Sequence, residues 1–511
     1  MSAVRAVINL DLPGATISRH VYGHFAEHLG RCVYEGFWVG EDSPIPNVGG
    51  IRADVVEALR ELDIPNLRWP GGCFADEYHW QDGIGPRAER PRMVNSHWGD
   101  VVESNAFGTH EFMALCELLG TDAYISGNLG SGSVQEMSEW IEYLTRADDS
   151  PMAALRRANG RDEPWKVPFF GIGNESWGCG GNLRAEQYAS LARQYSTYVR
   201  NHAGNEVYRI AAGASDGDLD WTETLMRSFG PLEDGAGPAA PFQAISLHYY
   251  TMTGPWSDKG SATEFSTEEW YLALGRAAHM DRLLTRHGQV MDRYDPTKRV
   301  GLVVDEWGTW WNVEKGTNPG FLFQQNTLRD ALVASVHFDA FHRHAGRVVM
   351  ANIAQTVNVL QAMLLTDPET NELVRTPTFH VFAMNTGHHD ARSLDTRLLG
   401  DVPTRTVEGA DLPLLSASAS TKGDTALVSL SNLDAESGRT VVLDLRGRGV
   451  VGHRARVLTA GETSAHNTAD RPDAVAPVAL DSVRVHEHGL EVDLPAHSYV
   501  TVELDLEAAG S

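Results

Sequence analysis

Cysteine is scarce in this chain, with four residues among 511: Cys32, Cys73, Cys116 and Cys179. They are widely spaced and form no CxxC pair, so neither a disulfide framework nor a zinc site is expected. Cys32 and Cys116 read as reduced thiols in or near the core, while Cys73 and Cys179 fall beside the stretches that carry polar chemistry and stay open. Positive charge is also short. With 42 basic against 68 acidic side chains, the formal net charge is −26. That argues against nucleic acid or an anionic membrane as the main partner and favours a neutral ligand. Long apolar runs are missing: no stretch approaches about 18 uninterrupted apolar residues, so no membrane span is expected. The start MSAVRAVINLDLPG has no charged segment followed by an apolar core, and a soluble cytoplasmic protein is the expectation.

What the chain does have is length and a regular rhythm. It is long enough for a large domain plus a smaller one. Residues 3–17 alternate in the strand manner and stop at Pro13-Gly14. From about Tyr22, short apolar strands alternate with helical patterns. Eight strands are expected: near 21–28, 64–72, 123–128, 168–175, 209–218, 244–250, 300–307 and 347–355. Between them lie helical stretches such as IRADVVEALRELD, SVQEMSEWIEYL and TLRDALVASVHFDAFHRH. This alternation predicts an α/β fold, a (β/α)8 TIM barrel, over 18–382. After Phe382 the pattern changes to an irregular connector, TGHHDARSLDTRLLGDVP, and then to strands separated by Lys-Gly-Asp, Ser-Gly and Pro-Ala turns. An antiparallel β-sandwich over 383–511 is expected, completed by the N-terminal strand, 1–17. His486 and His488 read as surface or hairpin positions there.

The informative fact is what stands at the carboxyl end of each barrel strand, because that face builds the site. PFFGIGNE breaks at Gly173 and delivers Asn174 and Glu175; VGLVVDEW ends in Glu306. The other ends carry Glu27 and His28, Arg68 to Cys73, His248 and Tyr250, and Asn352 and Gln355. Polar groups at the ends of apolar strands must find partners or lose about 1–3 kcal/mol each, and so many on one face favour a polyhydroxylated ligand. Two carboxylates suit glycosidic cleavage, which needs a protonated acid on one side of the sugar and an ionised carboxylate on the other. Glu175 fits the acid/base and Glu306 the nucleophile. Arg68 would keep Glu306 ionised, since a neighbouring cation lowers a carboxyl pKa. His248 reads as a supporting residue.

The motifs GHFAEHLGRCVYEG, LRWPGGCFADEYHWQDGIGP, GIGNESWGCGG, SLHYY, DEWGTWW and NIAQTVNVLQA together resemble the α-L-arabinofuranosidases of glycoside hydrolase family 51, over about 18–365. The resemblance implies a retaining exo-acting enzyme, Glu175 as acid/base, Glu306 as nucleophile and no metal or organic cofactor. It also implies a furanose pocket lined by Glu27, Cys73, Asn174, Tyr250 and Gln355, with Trp98 and Trp310 as stacking surfaces for the leaving sugar. An arabinose-containing oligosaccharide is the implied partner, and a homo-oligomer, such as a hexamer, the implied assembly. The residue chemistry agrees. Glu27 could accept two sugar hydroxyls or pair with Arg31 or Arg68; Asn174 could bind the 2-hydroxyl; Gln355 could bind sugar or tie neighbouring strands; Tyr250 could position Glu306. SWGCGG after Glu175 and GTWW after Glu306 depart from the family's commoner continuations, as do the loops EGFWVGEDSPIPN and KGTNPGFLFQQN, which opens the leaving-group preference. The alternatives are a glycosidase of the same barrel class on a β-xyloside, β-glucan or galactofuranoside, and a catalytically silent carbohydrate-binding protein.

Overall fold

A computed structural model describes residues 4–202, 204–228 and 241–508 of the chain, so the first three and last three residues of the expected β domain lie outside the described residues. Eight parallel strands close a barrel: Gly23–Phe25, Asn66–Trp69, Asp122–Gly127, Phe169–Ile172, Tyr208–Ser215, Ala244–Thr251, Gly301–Thr309 and Val348–Ala354. Each falls within or against one of the eight stretches expected from the sequence. The eighth pairs back onto the first, Asn352 opposite Gly23. Helices cover the outside, so a strand such as Gly301–Thr309 is buried at every residue and reads as a continuous apolar run that ends in acids. Gly23 is required at the closure: a Cβ there would lie 2.6 Å from the Asn66 amide and 2.8 Å from the Ala351 carbonyl oxygen. Helix starts follow their sequence signals. Ser266 with Glu269, and Thr327 with Asp330, form capping boxes that satisfy otherwise orphaned N–H groups.

Ten further strands form one sheet, the rest making two-stranded pairs, and the N-terminal strand Val4–Thr16 lies inside that sheet. That strand runs antiparallel to Arg392–Leu399 and parallel to Arg439–Arg446, so the sheet is not purely antiparallel. It curls on itself, and Val492 and Leu494 share an apolar cluster with Val500, Val502 and Leu504 from the far side. The expected irregular connector is corrected in part: Arg392–Leu399 is a full strand. It pairs over a short stretch with Leu415–Lys422 and along most of its length with the N-terminal strand, which no local reading of the connector could supply. Past it, Thr404–Val407 and Ala410–Pro413 make a separate hairpin.

The helix Leu328–Arg343 is buried over nearly its whole length because it lies between barrel and sheet. The contact it makes is polar as well as apolar. His342 Nδ1 meets Ser418 Oγ at 3.0 Å, and its Nε2 meets the Tyr22 hydroxyl at 2.6 Å. Next to it, His388 holds Ser420 Oγ and Ser429 Oγ, both at 2.8 Å. Burial pushes the His388 ring down to about 3, with His389 adding to the effect. An unfolded histidine takes up its proton near pH 6.5. The contribution of His388 is therefore intact above about pH 6.5 and is lost as pH falls towards about 3, at about 1.4 kcal/mol per unit. Urea unfolding followed from about pH 7 to about pH 4.5 should show stability falling more steeply in the wild type than in His388→Gln, by about one proton. Equal slopes would mean that the ring takes up its proton inside the fold.

Candidate active site

The fourth barrel strand stops at Ile172, and the chain then turns sharply. Gly173 has φ 81° and Glu175 φ 41°, a left-handed conformation that costs a non-glycine residue about 1 kcal/mol or more and is held only where the surroundings over-determine it. Three ties supply that determination. Gly178 N–H donates to the Glu175 carbonyl at 2.7 Å. The buried Asp76 carboxylate accepts the Asn174 N–H at 2.9 Å, and those of Leu129 and Gly130 at 2.8 Å, joining the loops after the second, third and fourth strands. The third tie corrects the expectation of no disulfide: Cys73 and Cys179 are bonded, with Cα atoms 5.5 Å apart. Wide spacing in sequence hid the pair because each lies in a different barrel loop. The sulfurs of Cys179 and Cys73 sit 3.6 and 3.9 Å from Glu175 Oε2. Cys32 and Cys116 are free and buried, as expected.

Glu306 comes from the seventh strand, directly opposite His248 of the sixth. Its oxygens are held separately: Oε1 accepts from Arg68 Nη1 at 3.0 Å and Oε2 from the Tyr250 hydroxyl at 2.8 Å. A Cβ on Gly72 would fall 2.6 Å from Glu306 Oε1, so glycine there leaves the carboxylate its place. One oxygen of Glu175, one of Glu306 and a ring nitrogen of His248 all lie within 4.8 Å of one another. The two carboxylates open onto one cavity of about 420 Å³, lined also by Glu27, Cys73, Trp98, His248, Tyr250, Trp310 and Gln355.

His248 is the hinge of the electrostatics and touches the acid directly. Its Nδ1 lies 2.8 Å from Glu175 Oε1 and its Nε2 3.1 Å from Asp305 Oδ1. Burial pulls the ring down, but Glu306, Asp305 and Glu175 together push it up to about 10, so it carries a positive charge between the carboxylates. Burial also acts upward on Asp305, yet Arg68 and His248 hold it down to about 2. Asp305 further accepts from the Tyr124 hydroxyl at 2.7 Å. For Glu306, burial raises the pKa; His248 and Arg68 oppose the rise, and Glu175 adds to it. Arg68 thus acts in the expected direction while burial outweighs it. The hydrogen bonds from Arg68 and Tyr250 to the two oxygens of Glu306 favour its ionised form against that burial.

Glu27 pairs with neither Arg31 nor Arg68. Its Oε1 accepts the Gly72 N–H at 2.9 Å, the Phe74 N–H at 3.2 Å and Trp98 Nε1 at 2.9 Å, and its Oε2 accepts Gln355 Nε2 at 2.9 Å. Burial first, then Glu306, raises it to about 7. Asn174 lies behind the cavity wall, its Oδ1 accepting from Arg68 Nη2 at 2.5 Å. That bond fixes the amide so that Nδ2, buried and without a protein partner, faces the space beside Gly72; Gln355 Oε1 is likewise buried and unpartnered. Trp98 spends its N–H on Glu27, and Trp310 stands edge-on to Tyr250 at 4.9 Å. Trp256, 62% exposed, packs edge-on against Trp310 at 4.8 Å at the mouth. His28 and Asn352, also at strand ends, turn away from the cavity: His28 accepts from Trp69 Nε1, and Asn352 ties to Asn66.

Sequence reading passed over Asp76 and Asp305, and Trp177 and Trp256 in the cavity wall. Asp305 directly precedes Glu306, and only the neighbouring strands give it a role. Among the described residues, Glu175, His248 and Glu306 come closest to a cation set, yet both ring nitrogens of His248 are engaged with carboxylates.

A glutamate pair at this separation, on the carboxyl-end face of a (β/α)8 barrel, is the arrangement of a glycoside hydrolase. Comparison with known proteins narrows the class. Residues 58–216 match the α-L-arabinofuranosidase 1 domain, and residues 305–498 the α-L-arabinofuranosidase C-terminal domain. The chain is 48% identical, over 97% of its length and 95% of the relative's, to a Bacteroides ovatus protein named intracellular exo-α-L-arabinofuranosidase. Among solved structures, the family 51 arabinofuranosidase of Xanthomonas axonopodis pv. citri superposes with TM-score 0.94 at 50% identity, covering 98% of this chain and all of that one. The α-L-arabinofuranosidase of Thermotoga maritima, solved as an arabinose complex, gives 0.81 at 29% identity, covering 99% of this chain and 100% of that one. The chain belongs to the α-L-arabinofuranosidases of glycoside hydrolase family 51.

Gly72→Ala tests how little room the Glu306 carboxylate has. The added methyl meets a side chain rather than backbone, so the fold should persist while kcat falls by about a hundredfold, as expected when a reacting group is displaced by about 1 Å. Unchanged kcat with an unchanged circular dichroism spectrum would show that Glu306 does not depend on that space.

Proposed function

We propose that this chain is a retaining exo-acting α-L-arabinofuranosidase that releases terminal non-reducing α-L-arabinofuranosyl residues from arabino- or arabinoxylo-oligosaccharides. The observation that carries the reading is the pair Glu175 and Glu306, with oxygens within 4.8 Å across a single cavity. In the first step Glu306 attacks the anomeric carbon and forms a glycosyl ester, while Glu175 gives its proton to the departing oxygen. In the second, Glu175 takes a proton from water, which attacks the same carbon from the opposite face and restores the original configuration. Arg68 and Tyr250 keep Glu306 aimed, and His248 orients Glu175 and supplies positive charge beside both acids. The unpartnered Asn174 Nδ2 and Gln355 Oε1, with Glu27 Oε2, are the donor and acceptors for sugar hydroxyls. The small cavity favours a terminal sugar over an internal one.

The reading extends to a division into a catalytic barrel, 18–382, and a β domain made of 1–17 with 383–511. It extends also to a place in the cytoplasm, in the use of imported arabinose-bearing oligosaccharides. The name of the Bacteroides relative, an intracellular enzyme, supports that place. Assembly into a homohexamer is the further expectation, and light scattering on the purified chain reads it directly.

Glu306→Ala should lower kcat on 4-nitrophenyl α-L-arabinofuranoside by about 10⁴-fold or more with the fold intact. Azide should restore turnover in two distinct ways: to the β-azide in Glu306→Ala and to the α-azide in Glu175→Ala. The same azide anomer from both variants would exclude these roles. Faster hydrolysis of a β-xyloside, β-glucoside or galactofuranoside in a nitrophenyl panel would overturn the choice of sugar.

A further inference from the structure

Beside the active cavity lies a second recess of about 500 Å³, and the two share Asp216, Tyr249, Tyr250 and Met252 in their walls. The two therefore adjoin on the Tyr250 side of the site. The inner wall of the recess is the helix Thr267–Tyr294. Its outer wall is the hairpin Thr404–Val407 and Ala410–Pro413, which belongs to neither the barrel nor the ten-stranded sheet.

That hairpin is strapped down. Arg276 donates to both oxygens of Glu408, at 2.7 and 3.2 Å, and its third arm bonds the Met252 carbonyl at 2.9 Å. Arg405 lies over the Tyr271 ring at 4.1 Å. A Cβ on Gly275 would sit 2.8 Å from Val407 Cγ1, so the helix carries glycine where the hairpin rests on it. At the junction with the active cavity, Asp216 holds φ 48°, its N–H donating to the His248 carbonyl at 2.9 Å. Its side chain is left at the surface, 3.5 Å from His279 Nε2.

Resting on the activity proposed above, we infer that this recess binds sugar units beyond the bond that is cleaved. The enzyme is thereby fitted to arabinofuranosyl groups carried on a neutral oligosaccharide, with two or more sugars in the leaving group. Its walls mix donors and acceptors of both signs: Arg276, His279 and Arg282 against Asp216, Glu408 and Asp411. Balanced charge of this kind favours a neutral polyol over an ionic ligand, and tyrosine faces beside it suit sugar rings. The strap keeps the recess formed before substrate arrives, so little ordering cost falls on binding.

The test uses Ala410→Trp, which fills the recess from an exposed hairpin position, and Ala278→Trp, which fills it from the helix wall should the first variant fail to fold. Both are assayed with 4-nitrophenyl α-L-arabinofuranoside, with an arabinofuranosyl disaccharide, and with an oligosaccharide whose leaving group has three sugars. The wild type should favour the longest substrate over the disaccharide. A folded variant should stay within about twofold of wild type on the two short substrates while losing about tenfold or more in kcat/KM on the long one, mainly through KM. Equal rates on long and short substrates in the wild type, or an equal effect of the tryptophan on all three, would overturn the inference. A wild type inactive on the nitrophenyl substrate would instead overturn the activity on which it rests.

Discussion

A single buried guanidinium organises the carboxyl end of the barrel. Arg68, from the second strand, reaches Ser126 of the third, Asn174 after the fourth, and both the Asp305 carbonyl and the Glu306 carboxylate of the seventh. It lies on Phe25 of the first strand, 4.5 Å from the ring centroid. A charge with 1% of its side chain exposed would be prohibitive alone, and here it is satisfied on every arm by groups that must themselves be fixed. The cost of burying it is thereby turned into position: Glu306 and Asn174 are held relative to each other through one rigid plane.

The loops around that plane are tied by other means. Asp76, in the loop after the second strand, collects three backbone N–H groups from the loops after the third and fourth. The Cys73–Cys179 bond ties the loops after the second and fourth strands beside Glu175. Glu175 can then occupy a backbone conformation that an untied loop would relax. Rigid elements beneath and cross-tied loops above are the usual physical means of holding reacting groups within a fraction of an ångström. Asp305 and His248 add the electrostatic half: a carboxylate held ionised fixes an imidazolium, and the imidazolium faces both glutamates.

The β domain is joined to this machinery through the buried helix Leu328–Arg343, whose far side meets the sheet through Ser335 with Ser431 and His342 with Ser418. The connector between the two regions does more than span them. Its hairpin packs on the barrel helix beside the mouth of the active cavity, and so the polypeptide that links the domains also shapes the surface next to the reaction.

Much of this was legible in the residues. Period-two and helical patterns located all eight barrel strands, and acids at the ends of apolar runs marked Glu175 and Glu306, because a buried parallel strand has few other places for a carboxylate. The strand at Arg392–Leu399 was not legible, since its alternation is weak and its longer pairing is with the other end of the chain. Nor was the Cys73–Cys179 bond, which depends on two barrel loops meeting, nor Asp305, whose importance lies in what the second, third and sixth strands present to it. The order of strands and the chemistry at their ends are written locally, in side-chain polarity and backbone preference. Which distant groups share a hydrogen bond, an ion pair or a covalent bond was decided only when barrel closure brought them within a few ångströms, where those interactions act.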